Sequence, residues 1–214
     1  MNIGISLKLQ AVSAGLALAI VVLGGCAMMA PKVERFVAAP LGSSWVTAQR
    51  NSGSYGSKDV QMQFRRGEQM WQGQKVIAYQ NPQFAILADL DGNWIGVVSG
   101  DKPMWTWDPP LNWEYPLELG KTWTHNSRLT NYARSQTTPF KYTQKVEAYE
   151  DVTVPAGTFK AFKISTSDTL GNENVQWFSP QLRIFVKQAM TRTAKHAAGA
   201  GKQESELVSY TDSK

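Results

Sequence analysis

The chain has 214 residues, with 22 Lys and Arg against 17 Asp and Glu and a formal net charge of +5. This length suits a single domain with a substantial core. The cations are spread along the sequence, whereas a nucleic-acid binder carries a dense basic stripe, so we expect no nucleic acid among the partners. The sequence holds one cysteine, so no internal disulfide can form and packing must hold the core.

The first 26 residues have the three parts of an export signal. Residues 1–10 carry one cation, Lys8, and no acid. An apolar run follows at 11–23; its roughly 13 residues are too few for a transmembrane helix, which needs about 20. Two glycines and the single cysteine, Cys26, end the segment.

The stretch Leu23-Gly24-Gly25-Cys26 resembles the lipobox of bacterial lipoproteins. The resemblance implies cleavage before Cys26, a diacylglycerol on its thiol and a membrane anchor. Ala27, in place of Asp, implies sorting to the outer membrane, facing the periplasm. We therefore predict a signal peptide at 1–25, a lipidated tether at 26–43 and an antiparallel β domain at 44–214. An ordinary signal peptide that is cut elsewhere is the alternative.

From Ser44 onward, apolar and polar residues alternate with a period of two between frequent turn signals, which is typical of an antiparallel β domain. We predict no long helix after the signal and ten or eleven short strands. The sequence Arg66-Gly67 predicts a turn that ends the second strand, and Asp91-Gly92 predicts a hairpin. The predicted strands are 44–50, 60–65, 76–80, 84–90, 94–98, 121–132, 140–152, 159–165, 175–178, 183–190 and 203–211, with 69–72 as a short return.

The segment Ser99–Pro116 differs from its surroundings, because it holds four prolines among large aromatic residues. Proline cannot donate to a strand ladder and is excluded from central strands. We therefore predict an ordered loop or a short edge strand here.

The second half of the chain has a characteristic pattern of turn and core residues at 115–123, 152–164 and 175–187. It resembles uncharacterised envelope domains of proteobacteria and is loosely similar to the half-barrels of lipoprotein carriers. The resemblance implies a single, strongly curved antiparallel sheet that forms a half-barrel or open barrel. It implies no catalytic residue.

Residues for catalysis are scarce. A histidine-based triad would have to use His125, which we expect on the surface, because His196 lies in a small-residue tract. Two distant histidines and one cysteine do not suit zinc, and we expect neither a metal nor a cofactor. Asp108 and Glu114 lie among aromatic residues, as the acids of a glycan hydrolase would. We expect a non-enzyme and keep the hydrolase as the alternative.

The best binding candidates are Trp105, Trp107, Trp113 and Tyr115. Trp105 and Trp107 are two residues apart, so they share a face if the backbone is extended. These rings could form an aromatic rim for a lipid, a glycan or a partner protein, or they could plug the open end of the sheet. We expect a lipoprotein that binds one of these ligands, with a structural subunit of an envelope assembly as a further alternative.

Overall fold

The computed structural model describes residues 31–213. The predicted signal peptide, the lipobox and Cys26 lie outside these residues. Among the residues described, no helix is long and apolar enough to cross a membrane.

Within residues 31–213, the chain forms twelve antiparallel β-strands and one short 3-10 helix, Tyr132–Arg134. The strands are β1 (Ser44–Gly53), β2 (Val60–Trp71), β3 (Gln74–Gln80), β4 (Ala85–Ala88), β5 (Trp94–Ser99), β6 (Lys102–Leu111), β7 (Thr122–Asn131), β8 (Gln136–Val154), β9 (Gly157–Asp168), β10 (Asn172–Ser179), β11 (Ile184–Arg192) and β12 (Gly201–Thr211). Each strand pairs with its neighbour in sequence. The prediction of an all-β antiparallel fold is confirmed.

The predicted half-barrel or open barrel is wrong, because the sheet closes on itself. β1 pairs with β2 on one side and with β12 on the other. The closing seam runs from Ser44 opposite Thr211 to Gly53 opposite Gly201. A Cβ atom on Gly201 would lie 2.7 Å from the Ser54 nitrogen, so the seam can end this tightly only with glycine.

Because the strands alternate in direction, the connections form two sets. We call the end where β1 begins the lower end and the end where it finishes the upper end. The lower end carries residues 72–73, 89–93, 112–121, 155–156 and 180–183; the upper end carries residues 54–59, 81–84, 100–101, 132–135, 169–171 and 193–200.

Residues 33–39, which we call the strap, lie against the lower end. Val33 and Leu117 exchange backbone hydrogen bonds of 3.0 and 2.9 Å. Ala39 is 2% exposed and belongs to a core cluster with Trp45. The strap is part of the predicted tether, and the division of the chain into domains stays a prediction.

Two further contacts fix the strap. The ring of Phe36 packs so closely on Gly92 that a Cβ atom there would lie 2.5 Å from it. Arg183 donates from Nη1 to the carbonyl of Ala38 at 3.4 Å. The strap therefore covers one mouth of the barrel.

The prediction for Ser99–Pro116 is wrong, because β6 within it pairs with both neighbours. The prolines fit because they avoid the regular ladder. Trp105 to Asp108 pair with β7, and Pro109 and Pro110 follow after that pairing has ended. Pro103 lies beside an irregularity in the pairing with β5.

The turn predicted at Arg66-Gly67 is also wrong, because β2 runs on to Trp71. Gly67 lies in the ladder opposite Ala78. A Cβ atom on Gly67 would lie 2.7 Å from Oε1 of Gln80, so this glycine allows a close approach and makes no turn.

Candidate functional site: the lumen of the barrel

The interior of the barrel contains a cavity of about 600 Å³, which we call the lumen. All twelve strands contribute lining residues, together with Phe36 of the strap. Its volume lies within the range of small-molecule sites. A closed sheet with alternate residues facing inward thus leaves room for a ligand.

One wall of the lumen is aromatic. Its residues come mainly from β1 to β8 and include Trp45, Phe64, Trp105, Trp107 and Phe140. Trp45 and Phe64 stack with ring centroids 5.8 Å apart, and Trp107 lies against Phe140 at 6.4 Å. These packed rings present a broad and rigid apolar surface.

Aromatic side chains fill the lower part of the lumen. Trp94 and Phe185 lie on strands half the barrel apart, yet their ring centroids are 6.3 Å from each other. Trp113 packs on Phe185 at 5.7 Å and on Trp123 at 6.1 Å. Burial raises the pKa of Tyr115 well above its usual value. Together with the strap, these rings close the lower end.

The structure thus brings the four predicted aromatic residues to one cavity but places them differently. Trp105 and Trp107 lie on the wall of the lumen, as their spacing predicts for an extended backbone. Trp113 and Tyr115 also line it, but they pack into the core cluster at the lower end. Trp105 and Trp107 therefore suit a ligand-binding surface, whereas Trp113 and Tyr115 suit a plug that closes the lower end.

The facing wall is polar. Its amides and hydroxyls come from β8 to β12 and β1: Gln144, Thr166, Asn174, Gln176, Gln188, Gln203, Ser205 and Gln49. Many are direct cross-strand neighbours, as in the row that joins Gln176 to Gln188 and Gln188 to Ser205. Such neighbours lie about 5 Å apart, so the wall offers a continuous belt of donors and acceptors.

Three buried polar atoms of the lining have no hydrogen-bond partner among the residues described. They are Oγ1 of Thr47, Nε1 of Trp107 and Oδ1 of Asn174. An unpaired buried polar group costs about 1–3 kcal/mol. These three atoms lie on three strands around one cavity, and because each is fully buried, a bound molecule would reach it only after the neighbouring side chains move.

Arg192 lies where the lumen meets the upper end. Its guanidinium carbon lies 3.9 Å from the ring centroid of Tyr55, and Nη1 donates to the carbonyl of Ser54 at 3.0 Å. No carboxylate of the described residues forms a salt bridge with it. The cation is thus held in place by Tyr55 and Ser54 without a direct salt bridge.

His196 lies at the same end of the lumen. Its Nδ1 accepts a hydrogen bond from the backbone nitrogen of Ala198 at 3.1 Å. Burial and then the charge of Arg192 lower the pKa of His196 below its usual value. The ring is therefore neutral at pH 7, and Nε2 carries its proton as a donor.

The remaining candidates lie elsewhere. Asp108 and Glu114 are exposed and do not line the lumen, so the structure does not place them at this cavity. His125 was expected on the surface, but it is partly buried against Tyr142 with ring centroids 5.8 Å apart. Within residues 31–213, no three His, Cys, Asp or Glu side chains group as metal ligands do.

Sequence reasoning missed the polar wall. In β10, Asn174 and Gln176 alternate with Val175 and Trp177, and the amides are the residues that face the lumen. Alternation shows that two faces differ but not which one lies inside. The signal that could have revealed the polar wall was the presence of amide side chains on several neighbouring strands.

No family model matches the chain, and no curated protein matches it. Three solved structures are similar. One is a suspected lipoprotein of Parabacteroides distasonis, with 10% identity and a TM-score of 0.43, covering 84% of this chain and 99% of that one. The second is a suspected exported protein of Bacteroides fragilis with a YmcC-like fold. It has 12% identity and a TM-score of 0.46, and the match covers 84% of this chain and 100% of that one. The third is the hypothetical lipoprotein YmcC of Escherichia coli. It has 11% identity and a TM-score of 0.41, and the match covers 78% of this chain and 83% of that one. At these values the likeness carries no functional conclusion.

Proposed function

We propose that this protein is a non-enzymatic lipoprotein that binds a small ligand in the lumen of its barrel. The observation that carries the proposal is the cavity of about 600 Å³ with an aromatic wall facing an amide wall. Small-molecule sites combine an apolar lining with a few placed polar groups in this way. A protein whose barrel served only as a structural subunit would have no need of such a cavity.

The three unpaired atoms support a ligand over an empty cavity. Oγ1 of Thr47, Nε1 of Trp107 and Oδ1 of Asn174 each lie in the lining without a partner among the residues described. A ligand that supplies hydrogen-bonding groups would remove their desolvation cost and gain affinity from it.

The lipobox supplies the location. Acylation of Cys26, with two or three chains, would anchor the domain stably. By the resemblance of Leu23-Gly24-Gly25-Cys26 and the following Ala27, the anchor is in the outer membrane and the barrel faces the periplasm. The partners are then the membrane, through Cys26, and the ligand in the lumen.

A glycan hydrolase remains the alternative, and no contact among the described residues favours it. Asp108 and Glu114 are exposed and lie outside the lumen, whereas hydrolysis needs two carboxyl groups on either side of a bound sugar. We therefore assign Asp108 and Glu114 no role in binding.

The experiment compares the wild type with a variant whose lumen is filled, Gln176→Trp. Both proteins are titrated with a panel of oligosaccharides, fatty acids and lysophospholipids, and tryptophan fluorescence and thermal shift are recorded. We expect the wild type to bind at least one class and the filled variant to lose that binding while it still melts cooperatively.

The matched control is Val175→Trp, which adds the same side chain one residue earlier, at a position that does not line the lumen. This variant should keep the binding. Binding that survives in Gln176→Trp, or a wild type that binds nothing in the panel, would contradict a ligand site in the lumen.

A further inference from the structure

The lining of the lumen carries a net positive charge, and this charge narrows the chemical class of ligand that the lumen could bind. The ionisable groups in its lining, besides tyrosines, are Arg183, Arg192, Asp168 and His196. His196 is neutral at pH 7 because its pKa is lowered. Two arginines then face one carboxylate, so the lining carries a formal charge of +1.

The single carboxylate of the lining, that of Asp168, already accepts three hydrogen bonds. Oδ1 of Asp168 accepts from the backbone nitrogens of Leu170 and Asn172 at 2.9 and 3.0 Å, and Oδ2 accepts from Nδ2 of Asn172 at 2.8 Å. These bonds shape the turn between β9 and β10. Asp168 forms no salt bridge with Arg192, although its charge acts on Tyr55 and His196 at the same end of the lumen.

Arg192 offers a complete edge for an anion. Both of its hydrogen bonds to described residues, to the carbonyl and to Oγ of Ser54, leave from Nη1. The neighbouring Nε and Nη2 groups make no hydrogen bond of good geometry to the residues described, although the hydroxyl of Tyr55 lies close enough to the guanidinium to interact with it. This edge of the guanidinium is the one that binds a carboxylate or phosphate with two parallel hydrogen bonds. The ring of Tyr55, 3.9 Å away, holds the plane of the guanidinium.

The amide belt points to the rest of the ligand. The side chains of Gln176 and Gln188 make no hydrogen bond within residues 31–213 and lie side by side, as a cross-strand pair, in the lining of the lumen. An acyl chain would leave these groups and the three buried unpaired atoms without partners, at a cost for each. A molecule with several hydroxyl groups would satisfy them, while its C–H faces would lie against Trp105 and Trp107.

We propose that the ligand is an acidic saccharide, whose carboxylate or phosphate binds Arg192 at the upper end and whose hydroxyls bind the amide belt. The inference rests on the proposed function, because it names the chemistry of the ligand in the same lumen. His196, with its proton on Nε2, is the second donor at this end.

The test uses pairs of probes that differ in charge. The hyaluronan disaccharide carries one carboxylate, and diacetylchitobiose is a neutral disaccharide of the same length. N-acetylglucosamine 1-phosphate tests phosphate as the source of charge, and octanoate tests a carboxylate without hydroxyls. Calorimetric titrations at 50 and 500 mM NaCl give the affinities.

We expect one or both acidic sugars to bind at least about tenfold more tightly than the neutral disaccharide and octanoate, as for a hydrogen bond to a charged group. The charged component should weaken in high salt. Arg192→Gln should remove the preference for acidic sugars, and Arg192→Lys should restore it only in part, because lysine lacks the planar fork.

The matched control is Arg50→Gln, an exposed arginine of β1 that pairs with Glu206 at 3.2 Å outside the lumen and should leave all affinities unchanged. If neutral sugars or octanoate bind as well as the acids, or Arg192→Gln changes nothing, the acidic saccharide is wrong, although binding in the lumen stands. If no probe binds the wild type at any salt concentration, the inference falls. A compound of the first panel that binds the wild type but not Gln176→Trp would still support the proposed function.

Discussion

Two tryptophans show how the indole nitrogen distinguishes a ligand surface from a core. Nε1 of Trp123 donates to the carbonyl of Asn112 at 3.3 Å. Nε1 of Trp107 is buried in the lining of the lumen and has no partner among the residues described. The first group therefore stabilises the fold through a hydrogen bond, whereas the second makes no hydrogen bond to the described residues and becomes a candidate donor to a ligand once the lining moves.

Replacement of each tryptophan by phenylalanine separates these roles. Trp123→Phe loses a hydrogen bond and should lower the free energy of unfolding by about 1 kcal/mol. Trp107→Phe removes an unpaired donor, so we expect a smaller loss of stability but an affinity for the lumen ligand reduced by about tenfold. Urea unfolding and fluorescence titration measure the two effects. The reverse order of stabilities would contradict the assignment.

The buried tyrosines predict a loss of stability at high pH. Burial raises the pKa of Tyr79 from 10.0 to about 12, and burial raises the pKa values of Tyr115 and Tyr142 in the same direction. Below pH 10 both the folded and unfolded states keep these protons, so stability does not change. Between pH 10 and 12 the unfolded state ionises first, and the free energy of unfolding should fall.

Urea unfolding at pH 8, 10 and 11 tests this dependence. Each variant is compared with its own value at pH 8, so that the loss of packing by the altered side chain cancels. Tyr79→Phe should lose less stability between pH 8 and 11 than the wild type does. Equal losses in the two proteins would show that Tyr79 does not carry the effect.

At the scale of elements, the strap is the feature that closes one mouth of the barrel. Gly92 has a positive φ of 85°, and a Cβ atom there would collide with the ring of Phe36. Gly73 has a similar φ of 79°, but a Cβ atom there would have no other atom within 4 Å. Both alanine substitutions strain the backbone, but only Gly92→Ala also displaces the strap.

We expect Gly92→Ala to lower the free energy of unfolding by about 1–3 kcal/mol more than Gly73→Ala does, as in an overpacked core. Differential scanning calorimetry of the two variants measures the difference. The double variant Phe36→Ala with Gly92→Ala should recover part of the loss caused by the collision. If Gly92→Ala and Gly73→Ala are equally destabilised, the strap does not pack as described.

Much of this architecture follows from sequence, but its closure does not. The turn residues and the period of two predicted most strands, among them β3, β5 and β7, within a few residues. Closure depends on the pairing of β1 with β12, which brings Ser44 to Thr211 across almost the whole domain. Local alternation carries no signal for such a contact, and our expectation of an open sheet therefore failed.

The candidate site was predictable only in part. The spacing of Trp105 and Trp107 placed them on one face, and both line the lumen. Arg192 was not singled out, because nothing near it in sequence shows that its neighbours Ser54 and Tyr55, on the opposite side of the closing seam, will hold it. Sites assembled from distant strands are invisible to local patterns.

At the scale of the whole molecule, an anchor at Cys26 would let the strap orient the barrel. From the predicted anchor at Cys26 to Val33 the chain advances seven residues, which span at most about 25 Å. Val33 is fixed to Leu117 at the lower end. An anchored protein should therefore present its closed lower end to the membrane and its upper end, with Arg192, to the periplasm. The exposed side chains of Leu90 and Leu119, at the lower end, suit that position.

A fluorophore at either end of the barrel tests this orientation. Leu119→Cys labels the lower end and Asp101→Cys labels the upper end in protein reconstituted through acylated Cys26 into vesicles with a quencher on the lipid headgroups. We expect strong quenching at 119 and weak quenching at 101. Cys26→Ser should abolish quenching at both. Equal quenching of the anchored protein at 101 and 119 would contradict the orientation.

The most direct measurement of the central claim, a ligand held inside the barrel, is the indole region of a ¹⁵N–¹H spectrum. All eight tryptophans are within the residues described, and each gives one indole signal. On addition of the acidic disaccharide, we predict that the Nε1–H signal of Trp107 shifts downfield as it gains a hydrogen bond. The signal of Trp71, outside the lining of the lumen, should stay in place. A Trp107 signal unchanged at saturating ligand would contradict the account.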